Sequence, residues 1–149
     1  MNQLSLRYEG NDYQYKVVAP RFDVVENLLD FELTLAAKKT DNDEIPEEIL
    51  IRVTHLELPE GESSIHLRAT NDFAGNDYYE RANAFVYTCF HHSHVSVWLD
   101  IESRTKKTLI ANIRLVTDDV DKYDETATDS LIFGNCKFKY GPKRNMWGP

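Results

Sequence analysis

A chain of 149 residues has the length of one ordinary domain, and with 42% apolar and 11% aromatic content it can bury a real core, which excludes a disordered body. Seventeen Lys and Arg against 25 Asp and Glu give a net charge of −8, a sign that opposes general binding to nucleic-acid phosphates and docking on anionic lipid. No run approaches the roughly 18 consecutive apolar residues of a membrane helix, and the N-terminus has no basic region followed by an apolar block, so a cytoplasmic protein without a signal peptide is expected.

Leu4, Leu6 and Tyr8 alternate with Ser5, Arg7 and Glu9, and Tyr13, Tyr15 and Val17 alternate again beyond Gly10, Asn11 and Asp12. Successive strand side chains point to opposite faces, so this period-2 pattern around a turn-prone triplet predicts an N-terminal β-hairpin. Pro20, which has no N–H to donate, is expected to end the second strand. Phe22, Val25 and Leu29 fit a short helical turn, whereas Phe31, Leu33, Leu35 and Ala37 fit a strand over 28–38. One helix across 23–38 is the rival reading.

Residues 40–48 carry five acids and no base and include Pro46, which reads as a loop. Residues 50–58 are apolar on both parities, the pattern of a strand covered on both faces. Pro59, Glu60 and Gly61 mark a turn, and Ile65, Leu67 and Ala69 mark the next strand. A turn-rich stretch at 71–77 and a short helical turn at 78–82 precede the centre of the chain.

That centre is 84–102, where two alternating runs meet at His91, His92, Ser93 and His94. Val95, Val97, Leu99 and Ile101 lie on one parity, and Ser96, Trp98, Asp100 and Glu102 on the other. The pattern predicts a central hairpin with the histidines at its tip. Residues 103–107 form a basic turn, 109–116 a strand, and 117–129 a loop with six acids. Leu131, Ile132 and Phe133, followed by 136–140, read as a last hairpin turning over Gly134 and Asn135. Nine or ten strands at such spacing predict an all-β fold, an antiparallel sandwich or a barrel-like sheet, with at most two short helices. Residues 1–140 form the single domain in this reading, and 141–149 an irregular tail. Cys89 and Cys136 both lie in apolar runs and are expected to be buried free thiols.

No motif identifies a function by itself. Catalysis has weak support, because Cys89 and His91 share a strand face but no nucleophile signature surrounds them. Two hypotheses follow. The favoured one is a non-enzymatic acidic binding protein that covers a macromolecular partner, as immunity proteins and phage-encoded inhibitors do. Its contacts would be Asp41, Asp43, Glu44, Glu47 and Glu48 in the first acidic stretch, Asp118, Asp119, Asp121 and Asp124 in the second, and Trp98. The partner would be a protein, basic in character, with neither nucleic acid nor membrane involved and no cofactor required. Solvated loops that aid solubility are the plainer explanation of the acids, and Ca²⁺ ranks third because neither stretch has the glycine and glutamate of an EF-hand loop. Trp98 reads first as second-layer packing.

The alternative is a metal- or ligand-binding β-barrel centred on His92 and His94, with Asp100 as a third ligand. Histidines two apart on a strand share a face and suit a transition metal, as in a cupin-type His-x-His, although the glycines that flank that motif are missing. Polar residues at a hairpin tip are the simpler explanation of the cluster. A structural subunit of an assembly, docking through the four bases of 137–144, is the third hypothesis.

Overall fold

The fold was analysed in a computed structural model that describes residues 2–8, 10–38, 45–58, 64–70, 83–87, 94–117 and 130–142. These residues form nine strands and no helix: β1 (Gln3–Tyr8), β2 (Asn11–Val25), β3 (Leu28–Ala37), β4 (Glu48–Glu57), β5 (Ser64–Thr70), β6 (Asn83–Tyr87), β7 (His94–Arg104), β8 (Thr108–Thr117) and β9 (Ser130–Tyr140). All belong to one sheet, in the order β5-β7-β8-β9-β1-β2-β3-β4-β6. Every neighbouring pair in that order is antiparallel.

The alternation noted above sends one face of the sheet inward. Leu4 and Leu6, Leu33 and Leu35, Ile49 and Ile51, Val97 and Leu99, and Leu109, Leu115 and Phe138 are all buried in one cluster. A single sheet can enclose one core only by curling, and three irregularities supply the bend. In β2 the register with β3 shifts between Val18 and Arg21, and Ala19 takes φ 51. The extra residue switches parity, so Val17 and Phe22 are both buried. Against β3, the pairs Leu29–Leu56 and Phe31–Val53 set one residue opposite two. There His55 takes φ 55 and its backbone N–H donates to Asp30 Oδ1 at 2.9 Å. In β7 the register with β8 shifts between Ile101 and Ser103. The result is a curved, barrel-like sheet whose terminal strands β5 and β6 approach within 8 Å between Cα atoms. No ladder joins them among the described residues, so the barrel is open.

A fork at β1 fixes one seam. β1 lies between β9 and β2, and beyond its start β2 and β9 pair directly in parallel, Arg21 with Lys139 and Phe22 with Tyr140. Asn2 fills the fork: its backbone carbonyl accepts from Val17 N–H at 3.0 Å and its Oδ1 from Lys137 N–H at 2.9 Å.

Several expectations are corrected. The strand does not end at Pro20, because the proline falls in the bulge, where no ladder donor is needed. The helical turn over 22–29 and the rival helix over 23–38 are both absent: β2 and β3 form a hairpin over Glu26 and Asn27, with φ 50 and 69, a type I′ geometry that matches strand twist. β4 is apolar on both parities because its bulge switches the buried set from Ile49, Ile51 and Val53 to Thr54 and Leu56, not because both faces are covered. Residues 131–140 are one strand rather than a hairpin. Gly134, at φ +148, sits within it against β1, where a Cβ would lie 2.8 Å from Leu4 Cδ2. Among the described residues β6 and β7 do not pair with each other as the expected central hairpin requires: β6 pairs with β4, and β7 with β5 and β8. β6 is the strand at one end of the sheet, and β7 lies next to β5 at the other. The proposed helical turn at 78–82 and Cys89 lie outside the described residues. Cys136 is fully buried, and burial pushes its thiol up to about 12.

Candidate functional site

Most of the sequence-predicted contacts fall outside the described residues. Asp41, Asp43, Glu44, Asp118, Asp119, Asp121, Asp124 and His92 lie outside the described residues. Glu47 and Glu48 are exposed at the entry to β4. That entry is pinned by Ala37 N–H donating to Glu47 O at 2.8 Å and by Tyr15 O–H donating to Pro46 O at 2.6 Å. His94 and Asp100 share one continuous strand, β7. Six residues of extended chain separate them by about 20 Å, so they cannot ligate one ion. Asp100 therefore leaves the histidine site imagined for it. No group of three His, Cys, Asp or Glu with metal-holding geometry occurs among the described residues.

Trp98 lies on the outer face, opposite in parity to the buried Val97 and Leu99. It is paired across the ladder with Arg114, which is paired in turn with Phe133. The Arg114 guanidinium sits 4.9 Å from the Trp98 ring centroid, and that of Arg7 sits 5.1 Å from the Phe133 ring. Arg7 is also held to Asp12 at 2.8 Å. Rings and guanidinium groups alternate across four strands in this stripe, covering apolar surface with cation–π contacts.

A concavity among the described residues lies elsewhere. At one end of the sheet, the turn between β7 and β8 meets the ends of β2 and β9. Phe22, Asp23, Val24, Arg104, Thr105, Lys106, Lys107 and Tyr140 line a cleft of about 740 Å³. Its walls are braced by local chemistry. Thr105 Oγ1 accepts from the backbone N–H groups of Lys107 at 3.2 Å and Thr108 at 3.0 Å, and Thr105 N–H donates to Thr108 O at 2.8 Å. Such hydroxyl-to-backbone bonds fix a turn that would otherwise be loose. Tyr140 N–H then donates to Lys107 O at 2.9 Å, and Gly141 N–H to Phe22 O at 3.0 Å, tying turn, β9 and β2 together.

The cleft is cationic in an acidic protein. Arg104, Lys106 and Lys107 are all exposed, whereas Asp23 is buried in the β2 wall opposite Asp30 of β3. Tyr140 is 51% exposed, and its ring stands at 83° to that of the buried Phe22, with centroids 6.5 Å apart. Sequence reasoning identified 103–107 as a basic turn but gave it no partner. The spacing places Phe22 on a helical face and Tyr140 in a separate hairpin, so nothing in the period pattern brings them to the turn. The run of bases itself, in a chain with a large acid excess, was the available signal.

Neither a family model nor a curated protein nor a solved structure matches the chain. Among the described residues, no helix is long and apolar enough to cross a membrane.

Proposed function

We propose that the protein is a non-enzymatic binding protein that covers a basic macromolecular partner with the acidic segments between its strands, in the manner of an inhibitor or immunity protein. The observation that carries this reading is the partition of charge. Residues 40–48 and 117–129 together hold 11 acids against one base, while the rest of the chain holds 14 acids and 16 bases. The excess of acid therefore belongs to those two segments. A framework close to neutral with acids concentrated between its strands favours a local, complementary contact over uniform solubility charge. The partner in this reading is a protein, neither nucleic acid nor membrane, and the setting is the cytoplasm.

The test is parallel capture from native lysate at low salt by wild-type protein and by a variant with Asp118, Asp119 and Asp121 changed to Lys. The reading expects one stoichiometric, salt-released partner with the wild type and its loss with the variant. Equal capture by both proteins would refute the electrostatic contact.

A further inference from the structure

We propose that the cleft between the β7–β8 turn and the ends of β2 and β9 binds a nucleoside phosphate. This site is distinct from the acidic segments invoked above. Its volume, about 740 Å³, falls within the range of roughly 300–1,000 Å³ typical of small-molecule sites. Three features of the lining correspond to three parts of such a ligand.

Arg104, Lys106 and Lys107 project from one short turn whose backbone is fixed by Thr105. They place three cationic groups at one wall, and Asp23 is the one acid among the described residues that line the cleft. A phosphate chain is the ligand group that neutralises several clustered cations at once, and hydrogen bonds between such charged partners are the stronger kind. Tyr140 supplies the second feature. Its ring is half exposed at a strand end and is propped edge-on by Phe22, leaving an aromatic face on which a base can stack. Asp23 supplies the third. It is buried in the cleft wall, and a carboxylate has lone pairs for several donors. It would repel a bare phosphate beside it but would accept from a ribose hydroxyl or a base amino group. Cations at one wall, with an acceptor and a ring at another, thus favour a ligand with a phosphate end and a nucleoside end over inorganic phosphate alone.

The experiment is calorimetric titration of the full chain with ATP, adenosine, tripolyphosphate and a short oligothymidylate. Saturable 1:1 binding of ATP is expected, with adenosine and tripolyphosphate each weaker by about tenfold or more, since each lacks one set of contacts. Changing Lys106 and Lys107 together to Glu, at exposed turn positions, is expected to abolish ATP binding with the melting temperature unchanged. Tyr140→Leu should bring the affinity for ATP down toward that for tripolyphosphate. Four results would overturn the proposal: no saturable ATP binding, tripolyphosphate equal to ATP, an unaffected Lys106→Glu, Lys107→Glu variant, or oligothymidylate preferred over ATP, which would mark a nucleic-acid surface instead.

Discussion

Gly134→Ala tests the geometry that lets β9 run unbroken past β1. Gly134 is paired with Leu4, and its φ of +148 is one that side-chain-bearing residues rarely adopt. An added Cβ would lie 2.8 Å from Leu4 Cδ2 and 3.0 Å from Gln3 O. Carbon atoms in contact prefer about 3.5–4.0 Å, so roughly 1 Å must be cleared beside a fully buried leucine and a strand backbone. Backbone strain of about 1–3 kcal/mol and overpacking of about 1–3 kcal/mol together predict a loss of roughly 2–6 kcal/mol, a large part of the roughly 5–15 kcal/mol of a typical domain. Urea unfolding measures it as a lowered midpoint with unchanged slope. Gly10→Ala is the control, because φ is +80 there but nothing lies within 4 Å of the added carbon. It should lose only about 1 kcal/mol. In a Leu4→Ala background the further cost of Gly134→Ala should fall, since the closest clashing atom is gone. A Gly134→Ala variant within about 0.5 kcal/mol of wild type would refute the close approach.

Three further outcomes follow from polar and titratable side chains. Asp30→Ala removes the carboxylate that accepts from His55 N–H in the β4 bulge and should cost about 1–3 kcal/mol; Asp30→Asn, which keeps an acceptor, should recover most of it in the same urea assay, and equal losses would disprove the bond's role. Asn2→Ala removes the acceptor for Lys137 N–H and should cost about 1 kcal/mol, with faster amide exchange at Lys137 than in wild type. Stability should also fall in alkali. Burial raises the Cys136 thiol from its ordinary 9.0 to about 12 and raises the Tyr15 phenol above its ordinary 10.0. Folded protein therefore keeps these protons where unfolded chain has lost them, so the stabilisation is complete below pH 9 and declines as pH rises from there. Each group contributes a slope of about 1.4 kcal/mol per pH unit. Cys136→Ala should flatten the decline that begins near pH 9, measured by melting temperature against pH; an unchanged profile would contradict the thiol's burial.

Most of the strand positions could be read from the sequence, because a sheet with one buried face must alternate. Leu4 with Leu6, Leu33 with Leu35, and Leu109 with Ile113 show it directly. What could not be read were the places where one extra residue changes parity. At Ala19 and Pro20, and again at Thr54 and His55, the apolar set jumps faces, and a period-2 pattern with a jump resembles a strand end, a short helix or a doubly covered strand. Gly134 misled for the opposite reason: glycine and asparagine between apolar runs usually make a turn, but here the missing Cβ admits Leu4. Partner choice was equally hidden. The runs on either side of His91–His94 suit a hairpin, yet the curl of the sheet gives β6 to β4 and β7 to β5 and β8. The cleft depends on that curl and on the β2–β9 parallel pairing, both long-range features. It could not have been assembled from local spacing.

An electrostatic contact made by the acidic segments has a signature in salt. The most direct measurement is the dissociation constant of the captured complex across a salt series, for wild type and for the variant with Asp118, Asp119 and Asp121 changed to Lys. The account predicts affinity that weakens steadily with salt in the wild type, and a variant that binds weakly at every salt concentration with a flattened dependence. Equal affinities and equal salt slopes for the two proteins would contradict it.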